Sequence, residues 1–303
     1  MNRRTFVNSS AALAALTALA PRALRGAEKP QRPHKKALML GTFNSAAARK
    51  LSLREKFQMV RDAGFAGVEV NSAMDQTEVL AARDATGLEI PSVVISTHWA
   101  KPLSHPAPSE RQLGLDGLLQ GLRDAKAYGA KSVLLVPAVV NKDVSYADAY
   151  ARSTAEIKKA VPLAESLGVA IALENVWNAF LMSPLEAAAF VDAFNSPMVR
   201  WHFDVGNVIN TGWPQHWIQA LGSRIAAVHV KEYSRKLRDE KGPRAGFAVE
   251  LTTGDSDWPA VMAALDTAKY SGWLIAEQYR PPEISDADWL KNLTTRMDQI
   301  LAS

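Results

Sequence analysis

Val169-Ala170-Ile171-Ala172-Leu173-Glu174, Val199-Arg200-Trp201-His202-Phe203-Asp204, Ile225-Ala226-Ala227-Val228-His229-Val230 and Trp273-Leu274-Ile275-Ala276-Glu277 share one design. Each is a short, nearly continuous apolar run, as a parallel strand covered on both faces requires, and each carries an acid or an imidazole at or near its end. Four similar runs precede them, at residues 37–41, 67–70, 91–96 and 132–137. Between the runs the apolar residues recur at helical spacing, over 53–63, 113–128, 146–167 and 258–268. Gly64, Gly129 and Gly168 stand where helices would stop, and Ser183-Pro184 and Asp257-Trp258-Pro259 read as helix starts with a cap and an early proline. Eight strand–helix units with no break in composition predict an α/β fold, one (β/α)8 TIM barrel over residues 34–303. A doubly wound open sheet would share the rhythm, but no Gly-rich phosphate loop follows the first run.

Composition narrows the chemistry. The chain of 303 residues contains no cysteine, so disulfides, thiolate metal ligands and cysteine nucleophiles are excluded. Its net charge of +4 is carried by Arg3, Arg4, Arg22 and Arg25 in the first 27 residues; the remainder balances 31 basic against 31 acidic groups. A basic nucleic-acid footprint is therefore not expected. Arg3-Arg4-Thr5-Phe6 followed by the apolar stretch 11–20 resembles a twin-arginine signal, too short to span a bilayer comfortably. Residues 1–27 are expected to be removed after export of the folded protein to the periplasm or beyond, leaving no stable membrane anchor. A homo-oligomer stays open.

In such a barrel the carboxyl ends of the strands carry the active site. Glu174, Asp204, His229 and Glu277 fall there and can converge on one point. Three carboxylates and an imidazole in a partly dry mouth are costly unless a cation joins them. Oxygen ligands with one nitrogen suit Mn²⁺ first, with Mg²⁺, Co²⁺ or Zn²⁺ as alternatives.

The phrases "ALENV" (Glu174), "FDVGN" (Asp204, Asn207), "HVKE" (His229, Lys231) and "AEQ" (Glu277) resemble, in order, the strand-five to strand-eight signatures of the sugar-phosphate isomerase/epimerase family. This family has the xylose isomerase-like barrel and includes ketose 3-epimerases, pentulose-5-phosphate 3-epimerases and inosose dehydratase. The resemblance implies that Glu174, Asp204, His229 and Glu277 hold one divalent metal, and that Glu174 and Glu277 also exchange protons with a carbohydrate substrate. It implies substrate contacts for His98, Glu69 and Arg235, and Asn207, Lys231 and Trp177 are further candidates at strand ends. Trp99, Trp177 and Trp213 follow strands and could offer indole faces to a sugar. His202 is expected to be a buried, hydrogen-bonded histidine and not a ligand. Two departures from the tagatose-type 3-epimerases are Asn207 in place of a histidine and Phe180 in place of a glutamate.

The leading expectation is an exported metal-dependent sugar epimerase or isomerase that transfers protons through an enediolate. The alternatives are a dehydratase or lyase acting on keto sugars or 3-keto-glycosides by the same chemistry, and a noncatalytic sugar-binding barrel. Phosphodiester hydrolysis, known on this fold, needs histidines that Asn207 and the segment after His229 do not supply.

Overall fold

The computed structural model describes residues 32–303; the segment read as a signal lies outside them. Eight parallel strands, β1 (Lys35–Met39), β2 (Gly67–Asn71), β3 (Ser92–Val94), β4 (Ser132–Leu135), β5 (Ala170–Glu174), β6 (Val199–Asp204), β7 (Ile225–Val230) and β8 (Trp273–Ala276), pair in sequence order. Pairing of Ala37 with Ile275 closes β8 onto β1, so the expected barrel is the fold observed. Among the described residues ten helices surround it: α1 (Leu53–Asp62), α2 (Gln76–Thr86), α3 (Pro108–Tyr128), α4 (Tyr146–Leu167), α5 (Pro184–Asp192), α6 (Val205–Ile209), α7 (Pro214–Leu221), α8 (Arg235–Lys241), α9 (Trp258–Thr267) and α10 (Asp286–Leu301).

The strands alternate as their period of two demands. Leu38, Val68, Val93, Ile171, Leu173, Phe203, Val228 and Leu274 join helix residues such as Phe57, Leu118 and Ile157 in the main core. Ala37, Ala227 and Ile275 form a separate small cluster within the barrel, where there is room only for modest side chains. The same alternation turns Glu69, Glu174, His202, Asp204 and His229 toward one another at the mouth. A register irregularity between Trp201 and His202 pairs Asp204 with His229, which brings the two to the same height.

Helix starts follow the capping logic of the sequence. Ser183 and Asp257 accept from the backbone N–H groups of Glu186 and Ala260, with prolines in the first turns of both helices. Several boundaries differ from expectation: β3 and β4 are shorter than the apolar runs 91–96 and 132–137, and two others have a clear cause. β1 ends at Met39 because residues 40–42 turn into a 3₁₀ helix, and α3 starts at Pro108, five residues before its clear periodicity, because proline suits a first turn. Among the described residues no helix is long and apolar enough to cross a membrane.

Candidate active site

The end of β5 braces the end of β6. Asn175 donates through Nδ2 to the Asp204 carbonyl at 2.7 Å, while its Oδ1 accepts from the Asp204 N–H and the Trp201 indole, both at 3.0 Å. Asp204 Oδ1 in turn accepts from the Asn207 N–H at 2.7 Å, capping α6, which leaves Oδ2 facing the mouth. The Lys231 side chain leaves no room for a larger residue at Gly206 without moving. A Cβ would lie 2.7 Å from Lys231 Cγ.

Around this brace, one ligand atom from each of Glu174, Asp204, His229 and Glu277 lies within 4.8 Å of the others. His229 Nδ1 is 3.1 Å from Glu174 Oε1, 2.9 Å from Glu277 Oε2 and 3.9 Å from Asp204 Oδ2. Its other nitrogen, Nε2, is 2.8 Å from Glu69 Oε2. Lys231 Nζ bridges Asp204 Oδ2 at 3.0 Å and Glu277 Oε2 at 2.8 Å.

Burial sets the protonation tendencies. It raises Glu174, and it raises Asp204 to about 7 against the opposing charge of Lys231. Burial alone would also raise Glu277, but Lys231 and His229 outweigh it and hold Glu277 well below the usual carboxylate range. For His229, burial works against the charged ring, yet Glu69 and Glu277 push its pKa well above the usual value. His98, desolvated behind β3, falls to about 4 and is neutral. Its Nδ1 accepts from the Val136 N–H at 3.1 Å, so the ring proton sits on Nε2.

Four carboxylates, Glu69, Glu174, Asp204 and Glu277, thus share a buried mouth with one lysine and one imidazole that can be charged. With all four ionised, two negative charges remain uncompensated even when His229 is protonated, so the site holds either protons, as the raised Glu174 and Asp204 show, or a divalent cation. Ligand bonds of about 2.0–2.6 Å put adjacent donor atoms roughly 3–4 Å apart, and the quartet's carboxylate oxygens lie 2.9–3.9 Å from His229 Nδ1. Asp204 Oδ2 and Glu277 Oε2 accept no hydrogen bond of normal geometry despite their ion pairs, so both keep lone pairs for a cation. The donor set fits one hard or borderline divalent ion.

A cavity of about 920 Å³ opens above the quartet. His98, Asn207, Trp177 and Lys231 line it, as does Trp99. Trp177 donates its indole N–H to the Asn207 carbonyl at 2.9 Å, and the Asn207 amide donates to the Asn175 carbonyl at 3.0 Å.

Two expected substrate contacts lie elsewhere. Glu69 is fully buried and absent from the cavity wall; its inward position on β2 puts it behind His229 as the partner that orients the ring. Arg235 spends its guanidinium on the Ile209 and Gly212 carbonyls and lies over Trp213, drawn to the carbonyl end of α6, so neither lines the cavity. His202 is buried, as expected, but neither ring nitrogen has a hydrogen-bond partner. It packs edge-on to His229 at 4.1 Å between centroids, and burial keeps it neutral. Phe180 is core, packed on Tyr146, Tyr150 and Phe190.

Sequence reasoning missed Arg244, Phe247 and Tyr279 in the cavity wall. They belong to long segments after β7 and β8, where only the Gly-Pro-Arg turn at 242–244 and the prolines at 281 and 282 hinted at a fixed course. Glu232 sets the course of the segment after β7. Its buried carboxylate accepts from the N–H groups of Tyr233, Thr252 and Ser256 and from the Trp258 indole, folding the β7 segment back over the mouth.

A family model described as xylose isomerase-like TIM barrel matches residues 57–293. The chain belongs to this family. It is 24% identical over 281 residues to an L-ribulose-5-phosphate 3-epimerase of Salmonella paratyphi C, covering 84% of this chain and 95% of the relative. Among solved structures it is similar to an L-ribulose 3-epimerase (TM-score 0.72, 18% identity, 88% of this chain and 94% of that one). It is also similar to a 3-keto-D-glucoside 4-epimerase from E. coli (TM-score 0.70, 15% identity, 88% and 99%). Relatives of these kinds are isomerases, and they belong to a family of sugar epimerases and isomerases.

Proposed function

We propose that this protein is a divalent-metal-dependent epimerase or isomerase that moves a proton on the carbon beside a sugar carbonyl. The convergence of Glu174, Asp204, His229 and Glu277 beneath one cavity is the observation that carries this reading. Mn²⁺ is the first choice of ion, and Mg²⁺, Co²⁺ and Zn²⁺ suit the same donors. When bound, the ion would polarise the carbonyl and its neighbouring hydroxyl and so acidify the carbon between them.

The remaining chemistry belongs to the chain. Glu174, at the end of β5, and Glu277, just after β8, lie 3.1 and 2.9 Å from His229 Nδ1, close enough together to serve one substrate carbon as a pair of proton-exchanging groups. Neutral His98 presents Nε2–H to a substrate oxygen, and Trp177 and Phe247 help exclude water.

Turnover in D₂O tests the scheme: deuterium should appear beside the carbonyl in a product that differs only in configuration or carbonyl position. Release of water or an aglycone, with an unsaturated or deoxy product, would instead assign the dehydratase or lyase chemistry. Full turnover by a Glu277→Gln variant with verified metal content would refute the two-base assignment.

We further propose that the protein is exported by its Arg3-Arg4 signal and acts on an unphosphorylated sugar, because sugar phosphates are mainly held inside cells. Changing both arginines to lysine should leave precursor in the cytoplasm; unchanged export in a cell fractionation would reject the twin-arginine route.

A further inference from the structure

The cavity is larger than the reacting centre needs. Clefts that bury drug-sized ligands run from about 300 to 1,000 Å³, and this one, at about 920 Å³, lies near the top of that range. A single sugar ring seated on the quartet would leave much of it to water. The inner polar groups are already engaged with protein: Lys231 with two carboxylates, the Asn207 amide with Asn175, the Trp177 indole with Asn207.

The outer wall is different. Trp99, on the β3 side, and Tyr279, on the β8 side, line the cavity yet are 52% and 59% exposed. Aromatic faces left open inside a concavity, and not scattered over a convex surface, suit the C–H face of a second ring. Arg244 lines the same wall and has no hydrogen bond or ion pair among the described residues, so its fork of donors is free for hydroxyls. The wall is not built as an anion trap. Glu250 and Glu283 also line it, and the Arg280 guanidinium is occupied by Asp286 and by carbonyls of its own loop.

We propose that this outer wall is a second sugar subsite, and that the substrate is a glycoside or disaccharide carrying a free carbonyl on the ring that reacts, not a lone monosaccharide. The proposal rests on the function proposed above for the inner site, and it names the substrate class for that site.

Binding to the Mn²⁺-loaded and the chelator-treated protein tests it with matched pairs. The probes are 3-keto-D-glucose against 3-ketocellobiose with the keto group on the non-reducing ring, D-fructose against its 6-O-glucosyl derivative isomaltulose, and L-ribulose against its 5-phosphate. At least one disaccharide should bind about tenfold or more tightly than its monosaccharide, the gain expected of two aromatic contacts. A Trp99→Ala/Tyr279→Ala variant should cut that ratio at least threefold. The proposal is overturned if no disaccharide gains over its monosaccharide, if the gain survives the double variant, or if the 5-phosphate outbinds both disaccharides. Wall-dependent disaccharide binding that is equal with and without Mn²⁺ would refute the metal reading and leave the subsite standing.

Discussion

Replacing Glu69 by glutamine would change one charge and almost no shape at a position with no exposure to solvent. The Glu69 carboxylate lies 2.8 Å from His229 Nε2, and the other ring nitrogen faces the carboxylates of Glu174, Asp204 and Glu277. A ring that offers Nδ1 to a cation must carry its proton on Nε2, and a carboxylate there fixes both tautomer and orientation while making Nδ1 a stronger donor. Glutamine can still accept that hydrogen bond but supplies no charge. Loss of a partner of this kind typically weakens metal affinity about 10–100-fold, and the retained acceptor puts Glu69→Gln near the lower end, about 1.4 kcal/mol. Glu69→Ala, which leaves the His229 N–H unsatisfied, should approach the upper end. Calorimetric titration of Mn²⁺ into chelator-treated protein measures both, with thermal melts to confirm folding. Two folded variants that bind Mn²⁺ within twofold of the parent would refute the orienting role.

The remaining predictions concern protons and packing. Asp204, raised to about 7, and Glu174, also raised, must lose protons to bind a cation, whereas Glu277 is already ionised. His229, held protonated well above its usual range, must also release the Nδ1 proton, so Mn²⁺ affinity should climb with pH by about tenfold per unit or more and keep climbing above 7; a flat profile from pH 5.5 to 8 would contradict the assignment. At Gly206, a Cβ would sit 2.7–3.0 Å from three carbons of the Lys231 side chain, so Gly206→Ala should displace Lys231 from Asp204 and Glu277. A cost of about 1–3 kcal/mol by denaturant unfolding is expected, and an unchanged midpoint would show that the turn relaxes.

The sequence by itself determined the barrel and which four side chains meet at its mouth. Apolar runs with period-two alternation, separated by capped amphipathic helices, admit few architectures, and a closed parallel barrel places every strand's carboxyl end on one face. Glu174, Asp204, His229 and Glu277 were legible because each stands at or next to the end of such a run. What lies beside a strand end was not. Glu69 and Arg235 stand on the catalytic side in sequence, but whether such a group faces the cavity, the back of a histidine or a helix carbonyl depends on strand tilt and on contacts across the barrel. Glu69 meets His229 from 160 residues away, and Arg235 reaches back 26 residues to the Ile209 carbonyl. Likewise Arg244 joins Trp99 and Tyr279 in one wall because the buried Glu232 carboxylate folds the β7 segment over the mouth. Local spacing specifies strands and their ends; the walls of the cavity arise from long-range hydrogen bonds, which only the tertiary structure decided.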